Sequence, residues 1–327
     1  MKNIYIVDTP YHLLISTVKT LLAHREGMDA VLIMKDVIPL NFQKNAQSVF
    51  RDVDNSYNRY NILLNVFLLK LQQCSISIVS KFAKKIKIKL LDFFKDSDVY
   101  IFDDTFYFGC WLNNSRTKYN LIEDALNYYC FPKKKTILMK KYDYLYRIMG
   151  ISWDCWGKSK YTKSIEVNEN KNLCISHNNI IVQNREQMFK KLTPKQIEII
   201  AHIFDYKPLK NIVSGDKTLL LTQPLSEDSL VSHETKIHIY KHLVDKHAIG
   251  KLYIKIHPRE KEDYTKTFPD AIILGDQDIP FEVYQLKENF HFKKAITVFS
   301  TAIKSVFCAD EKISMSPEWM MNFSNKS

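Results

Sequence analysis

Apolar and polar positions along this chain fall into blocks that read as strand, turn and helix in repetition. Ile4-Tyr5-Ile6-Val7 is a short apolar run halted at Asp8-Thr9-Pro10, and Tyr11 to Leu22 carry helical spacing. Ala30 to Met34, Val99 to Phe102 and Asn120 to Ile122 are further apolar runs without alternation, the pattern of a parallel sheet covered on both faces. Between about 130 and 210 the pattern loosens into Lys/Tyr-rich and Asn-rich segments. One helix is then predicted through Gln187, Met188, Leu192 and Ile197 to Ile200. Repeats resume with strands at Leu219–Thr222, Leu252–Ile256, Ala271–Leu274 and Ile296–Phe299, a helix from about 233 to 246, and a helix beginning at Thr301. Two βα domains follow from this, joined near Tyr206-Lys207-Pro208 and Ser214-Gly215-Asp216. We place an N-terminal domain at 1–207 and a C-terminal domain at 208–327. A length of 327 residues exceeds what one core usually supports, in agreement with two.

Composition narrows the class. Hydrophobic residues make up 46% and charged residues 25%, ordinary for a globular protein. The 7 glycines form no Gly-x-Gly-x-x-Gly or Gly-x-x-x-x-Gly-Lys-Ser pattern, which argues against the common Gly-rich phosphate cradles. Cysteines at 74, 110, 130, 155, 174 and 308 contain no Cys-x-x-Cys pair and no zinc spacing, so reduced thiols in a cytoplasm and no metal site are expected. The first residues are too poor in apolar side chains for a signal peptide, and no 18-residue apolar run exists to span a membrane. A net charge of +11 calls for an anionic partner: nucleic acid, a membrane surface or an acidic metabolite. Lys81, Lys84, Lys85, Lys87 and Lys89 alternate with apolar residues, and Lys133 to Lys135 and Lys140-Lys141 mix with tyrosines. Such stretches suit either peripheral contact with anionic lipid at the inner face of the cytoplasmic membrane or a solvated basic face.

In open parallel sheets ligands bind beyond the carboxyl ends of the strands, so chemistry is sought there. Leu252 to Ile256 delivers His257-Pro258-Arg259; Pro258 lacks an N–H and stops the ladder, so the imidazole is fixed and presented. Raised by an anionic phosphate, its pKa would let it donate a hydrogen bond or a proton to a leaving nucleotide. Ile296 to Phe299 ends in Ser300-Thr301, whose hydroxyls and following N–H groups can receive phosphate oxygens. Acidic pairs follow two other strands: Glu123-Asp124 in the first domain and Glu227-Asp228 in the second. Either can take the proton of an attacking hydroxyl; helix capping is the plainer explanation for each. Asp103-Asp104 is a third acidic strand end, without a third ligand for a metal. Thr9, Tyr11 and His12 stand at the first strand end, where they can line the acceptor side from which the hydroxyl attacks, although a lone His on a first turn is commonly structural. His233, His238, His242 and His247 are scattered along a helix and read as a solvated face.

Two such domains without a Gly-rich loop point to the GT-B glycosyltransferase architecture, an α/β fold of two Rossmann-like domains whose parallel sheets face a central cleft. Ile-Val-Asp-Thr-Pro-Tyr-His-Leu-Leu, Leu-Ile-Glu-Asp-Ala, Leu-Thr-Gln-Pro-Leu-Ser-Glu-Asp, Ile-His-Pro-Arg-Glu, Ile-Pro-Phe-Glu282 and Phe-Ser-Thr-Ala together resemble bacterial sialyltransferases of glycosyltransferase family 52, which build lipooligosaccharide and capsule. The resemblance implies CMP-sialic acid as donor, no cofactor, and an inverting, metal-independent transfer onto a terminal sugar hydroxyl, typically of galactose. It implies His257, Ser300 and Thr301 on the donor phosphate, Glu282 on the ribose hydroxyls, and Glu123 or Asp124 as general base. Ala125 and Ser229 stand where the family's acid-acid-Gly motif carries glycine. A right-handed helical backbone would accept either, and the base remains open between Glu123, Asp124 and Asp228. A homodimer is expected from some relatives. Rival readings are a different nucleotide-sugar donor on the same scaffold, a nucleic-acid-binding module motivated by the charge, and a non-catalytic scaffold.

Overall fold

The structure, a computed structural model, describes residues 2–23, 30–35, 37–54, 94, 96–105, 107–124, 157–171, 173–209 and 212–324. Both basic stretches singled out above, and Ala125, lie outside the described residues. The chain divides into two compact units, Met1–Ile203 and Phe204–Ser327.

Unit 1 is a parallel sheet of β1 (Lys2–Val7), β2 (Ala30–Met34), β3 (Asp52–Asp54), β4 (Ser97–Ile101), β5 (Tyr119–Ile122), β6 (Thr162–Val167) and β7 (Ile180–Val182). Its order is β3-β2-β1-β4-β5-β6-β7. The chain therefore reverses its direction of travel between β1 and β4. The apolar runs are strands because both their faces are covered: β1 is buried from Asn3 to Val7 and β2 throughout. Ile4, Ile6, Val31, Ile33, Val99 and Ile101 share one core with Trp111 and Leu112 of α3 (Tyr107–Asn114). α1 (Pro10–Ala23) and α2 (Leu40–Ala46) complete the described helices before β4.

The loose segment 130–210 holds order that its composition hides. β6 and β7 extend the sheet there. The single helix expected through 187–200 is two, α4 (Arg185–Lys190) and α5 (Pro194–Ile203). Pro194 cannot donate an N–H and is accommodated only in a first turn, so the chain stops at Thr193 and restarts.

Unit 2 repeats the plan with β8 (Lys217–Leu221), β9 (Lys251–Lys255), β10 (Ile272–Ile273), β11 (Phe292–Val298) and β12 (Ala309–Met315), in the order β10-β9-β8-β11-β12, all parallel. Reversal falls between β8 and β11. α6 (His233–His247), α7 (Tyr264–Thr267), α8 (Phe281–Lys287) and α9 (Pro317–Ser324) accompany it. Ser232 caps α6 by accepting from the Thr235 N–H. At the turn into β9, Gly250 sits at φ 67, and a Cβ there would lie 1.9 Å from the Asp216 carbonyl oxygen, so only glycine fits. The expected helix at Thr301 is one turn of 3-10 helix, Thr301–Ser305, rather than an α-helix. Within the 5-stranded sheet, β8 separates β9 from β11, so His257 and Ser300 end strands two apart, roughly 10 Å between axes, and not neighbours.

Candidate active site

The carboxyl ends of β1, β4 and β5 carry a cluster built around His12. Thr9 starts α1: its carbonyl accepts the Leu13 N–H at 3.1 Å and its hydroxyl accepts the His12 N–H at 3.2 Å. Pro10 occupies the first helical position. This start aims His12 back over the sheet, where its ring stacks on Phe102 with centroids 4.1 Å apart and planes 4° from parallel. Nδ1 accepts the Asp8 N–H at 3.2 Å, so it carries no proton. The proton then sits on Nε2, which hydrogen-bonds to Asp124 Oδ1. Two residues 112 apart in sequence thus form one dyad.

The two acids of the first pair are not equivalent. Glu123 is buried and its Oε2 accepts the Asn168 N–H at 2.8 Å, which ties it to the end of β6. The Asp124 side chain keeps 30% of its surface and faces the neutral His12. Beneath them lies a buried ion network: Arg185 Nη1 donates to Glu166 Oε1 at 2.6 Å, and Lys19 bonds the other oxygen. Burial alone would raise the Glu166 pKa, but Lys19 and Arg185 hold it below the ordinary carboxylate value. The Arg185 charge also acts on Tyr11 and Glu123. The remaining acidic strand end is structural. Asp103 Oδ1 accepts the Thr105 N–H at 2.7 Å, and Asp104 accepts from Tyr119 Oη at 2.9 Å and the Gly157 N–H at 2.8 Å.

In unit 2 the ends of β8, β9 and β11 carry His257, Asp228 and Ser300. His257 Nδ1 accepts the Arg259 N–H at 3.1 Å, which again leaves the proton on Nε2. Its backbone N–H donates to Thr222 Oγ1 at 3.1 Å. Burial, with Arg259 and Lys255 nearby, pushes the imidazole down to about 4, outweighing Asp228 and Glu227. His257 is therefore a neutral hydrogen-bond donor, because burial and two cationic neighbours oppose the charge that an anionic phosphate would favour. Pro258 turns the chain so that the Glu260 N–H closes on the His257 carbonyl at 2.9 Å.

Asp228 is held by a fork, Oδ1 to Arg259 Nη1 at 2.5 Å and Oδ2 to Nη2 at 2.9 Å. Ser229 lies at φ 55, in the left-handed region. The right-handed backbone that would make serine equivalent to glycine is therefore absent, and Ser229 adopts the conformation that a glycine takes freely. Ser300 caps the 3-10 turn, its Oγ accepting the Ala302 N–H at 3.2 Å; Thr301 follows, half-buried. Glu282 sits buried in the first turn of α8, and that burial pushes its pKa up against the Ser305 hydrogen bond and the Lys255 charge. Lys255 itself is pushed down to about 8 by burial, despite Asp276, Asp278 and Glu282. Its Nζ donates to the Gln277 carbonyl at 2.8 Å.

Residues 32–313 match glycosyltransferase family 52. The chain belongs to glycosyltransferase family 52. The family match takes in Glu123, Asp124, Asp228, His257, Glu282 and Ser300, while Thr9, Tyr11 and His12 precede it. This family 52 chain is 32% identical over 243 residues to an uncharacterized protein of Haemophilus influenzae, covering 73% of each. Its structure is similar to that of a sialyltransferase from Photobacterium damsela, with TM-score 0.52 at 11% identity, over 95% of this chain and 74% of that one. The fold is GT-B, two parallel-sheet α/β units, as the strand pattern implied.

The sequence reading of this glycosyltransferase missed Arg185 and Lys236, charged residues on helices that are ordinary in sequence and that only burial marks out. Glu260 closes the Ile-His-Pro-Arg-Glu piece but received no role of its own, and it too is buried. Among the described helices none is long and apolar enough to cross a membrane.

Proposed function

We propose that the protein is an inverting sialyltransferase that moves sialic acid from CMP-sialic acid to a terminal galactose, or a related sugar, of a bacterial surface glycan such as lipooligosaccharide or capsule. The observation that carries this reading is His257, an imidazole whose Nδ1 accepts the Arg259 N–H and whose proton therefore sits on Nε2, at the end of β9 and inside the span that matches family 52. The leaving group of sialyl transfer is an anionic phosphate, and stabilising it is the main demand of an oxocarbenium-like transition state. His257 Nε2–H and the Ser300 and Thr301 hydroxyls bracket that phosphate across the end of β8, and Glu282 takes the ribose hydroxyls. The charges of Lys255 and Arg259 supply the positive potential that the neutral imidazole lacks, and no metal ion is required.

Unit 1 serves the acceptor. Asp124 removes the proton of the acceptor hydroxyl as its oxygen bonds to the anomeric carbon, while the carbon–oxygen bond to phosphate breaks and its electrons leave with CMP. The choice of Asp124 rests on its partial exposure and on a neutral partner that takes one oxygen, whereas Glu123 is buried and tied to Asn168. A second reading assigns Asp228, favoured by the left-handed Ser229 that follows it, where the motif's glycine belongs. The net charge of +11 suits a station beside anionic lipid, where a lipid-linked acceptor would be met.

The test is incubation with CMP-sialic acid and galactose- or N-acetylgalactosamine-terminated acceptors, with and without EDTA, the product linkage being read by NMR. Transfer that survives EDTA and falls at least a hundredfold in Asp124→Asn is expected. Turnover of a UDP-sugar with none of CMP-sialic acid overturns the donor, and full activity in Asp124→Asn with loss in Asp228→Asn moves the base to unit 2.

A further inference from the structure

Beneath the His257 turn lies a buried polar network that the proposed chemistry does not use directly. Glu260 has no exposed side-chain surface, and neither has Lys236 of α6, whose Nζ stands 3.5 Å from Glu260 Oε1. Lys236 also meets Glu227 at 3.1 Å and Glu262 at 3.7 Å, so one interior ammonium is shared by three carboxylates. Glu260 Oε1 accepts the Tyr264 hydroxyl at 2.7 Å. Its Oε2 accepts the Thr222 hydroxyl, and Thr222 Oγ1 in turn accepts the His257 N–H at 3.1 Å. Oε2 itself lies 3.4 Å from the same N–H.

A stability role alone accounts poorly for this arrangement. Two fully buried opposite charges cost several kcal/mol each in desolvation, and replacing such a pair by apolar side chains is often neutral or stabilising. What the charge achieves here is direction. The carboxylate orients the Thr222 O–H toward itself, which leaves the Thr222 lone pairs aimed at the His257 N–H. The backbone of His257 is then pinned from β8 while Arg259 pins its ring from the other side.

We propose that Glu260, acting through Thr222 and neutralised by Lys236, is a positioning residue that holds the His257 backbone where the Arg259 N–H reaches Nδ1, and so keeps the ring in the single Nε2–H tautomer facing the leaving group. The kinetic part of this inference rests on the donor-site reading above; the structural part does not.

The experiment uses Thr222→Val, Thr222→Ser, and the double variant Lys236→Met with Glu260→Leu, which removes both buried charges together. Three quantities are read: the unfolding midpoint, the ring 15N signals of His257, and donor and acceptor kinetics. In the wild type the ring signals are those of one tautomer with Nε2 protonated. Thr222→Val is expected to shift them toward a mixture and to lower kcat/KM for the donor at least tenfold with the acceptor KM unchanged, while Thr222→Ser keeps both. The double variant is expected to fold with a midpoint near the wild type and to keep the mixed ring signals and the low donor kcat/KM. Unaltered His257 signals in Thr222→Val overturn the proposal, and so does a stable double variant with full activity. If the ring signals change as expected while the wild type does not turn over CMP-sialic acid, the donor reading fails and the positioning role stands.

Discussion

His257 shows how a residue's place can be legible while its charge is set by packing. Its place after an apolar run and before Pro258 marked it as presented, and its protonation is set by how deeply the fold buries it between two cations that stand two residues to either side. Burial, Arg259 and Lys255 push it down to about 4, from an ordinary value near 6.5. The folded protein then binds fewer protons than the unfolded chain between those limits, so stability rises with pH there. The His257 contribution is present above about 6.5 and is lost as pH falls toward about 4. Denaturant unfolding at pH 7 and pH 4.5 should therefore show a larger loss for the wild type than for His257→Gln. Equal losses would mean that the imidazole titrates in the folded protein as it does in water. Asp124 and Glu123 make the complementary case. Adjacent acids look alike in sequence, yet one faces Asn168 in the interior and the other faces His12, because side chains at consecutive strand-end positions point in different directions.

Strands covered on both faces were legible as apolar runs, whereas among the described edge strands β10 was legible and β3, β7 and β12 were not. β1, β2 and β8 sit inside their sheets, and continuous apolar runs gave them away to within about two residues at either end. β12 is an edge strand of sequence Ala-Asp-Glu-Lys-Ile-Ser-Met with mostly exposed side chains, which is how a sheet edge is kept from pairing further, and nothing apolar announced it. β6 hid for a different reason. Its Glu166 is buried and so breaks the apolar pattern, and the partners that make this tolerable come from α1 and α4. The pair also fastens α4 to the sheet, since Arg185 opens that helix, is 1% exposed and bonds Glu166 at 2.6 Å. Arg185→Met should destabilise unit 1 by about 3 kcal/mol, the low end for breaking a buried pair, because Lys19 still accompanies Glu166. Chemical denaturation reads this directly. A change under about 1 kcal/mol would mean that Lys19 alone neutralises the site.

At the scale of the molecule, both units place the first strand in the middle and reverse beside it, at β1/β4 and at β8/β11. Ligands of open parallel sheets bind in the crevices at such reversals, which here lie where His12 stacks on Phe102 in unit 1 and where Thr297 of β11 donates its hydroxyl to the Leu221 carbonyl of β8 in unit 2. That two-unit order followed from strand counting alone. The Pro and Gly signals put the junction at 207/208, and the compact units divide between Ile203 and Phe204, so Tyr206 stands with unit 2. Aromatic anchoring accounts for its place. Tyr206 packs edge-on against Tyr284 of α8 with centroids 5.3 Å apart and donates its hydroxyl to Glu288, whose Oε1 also accepts the Leu209 N–H at 3.3 Å. An aromatic pair and a charge-assisted hydrogen bond together contribute about 2 kcal/mol or more. Unit 2 has its own core of Leu220, Ile239, Leu243, Ile254 and Ile296, so a fragment of residues 204–327 should unfold cooperatively by itself. A fragment of 208–327 lacks Tyr206 and should be less stable by at least that amount, and Tyr206→Ala in the longer fragment should reproduce most of the loss. Equal midpoints for the two fragments would place the anchor elsewhere than Tyr206.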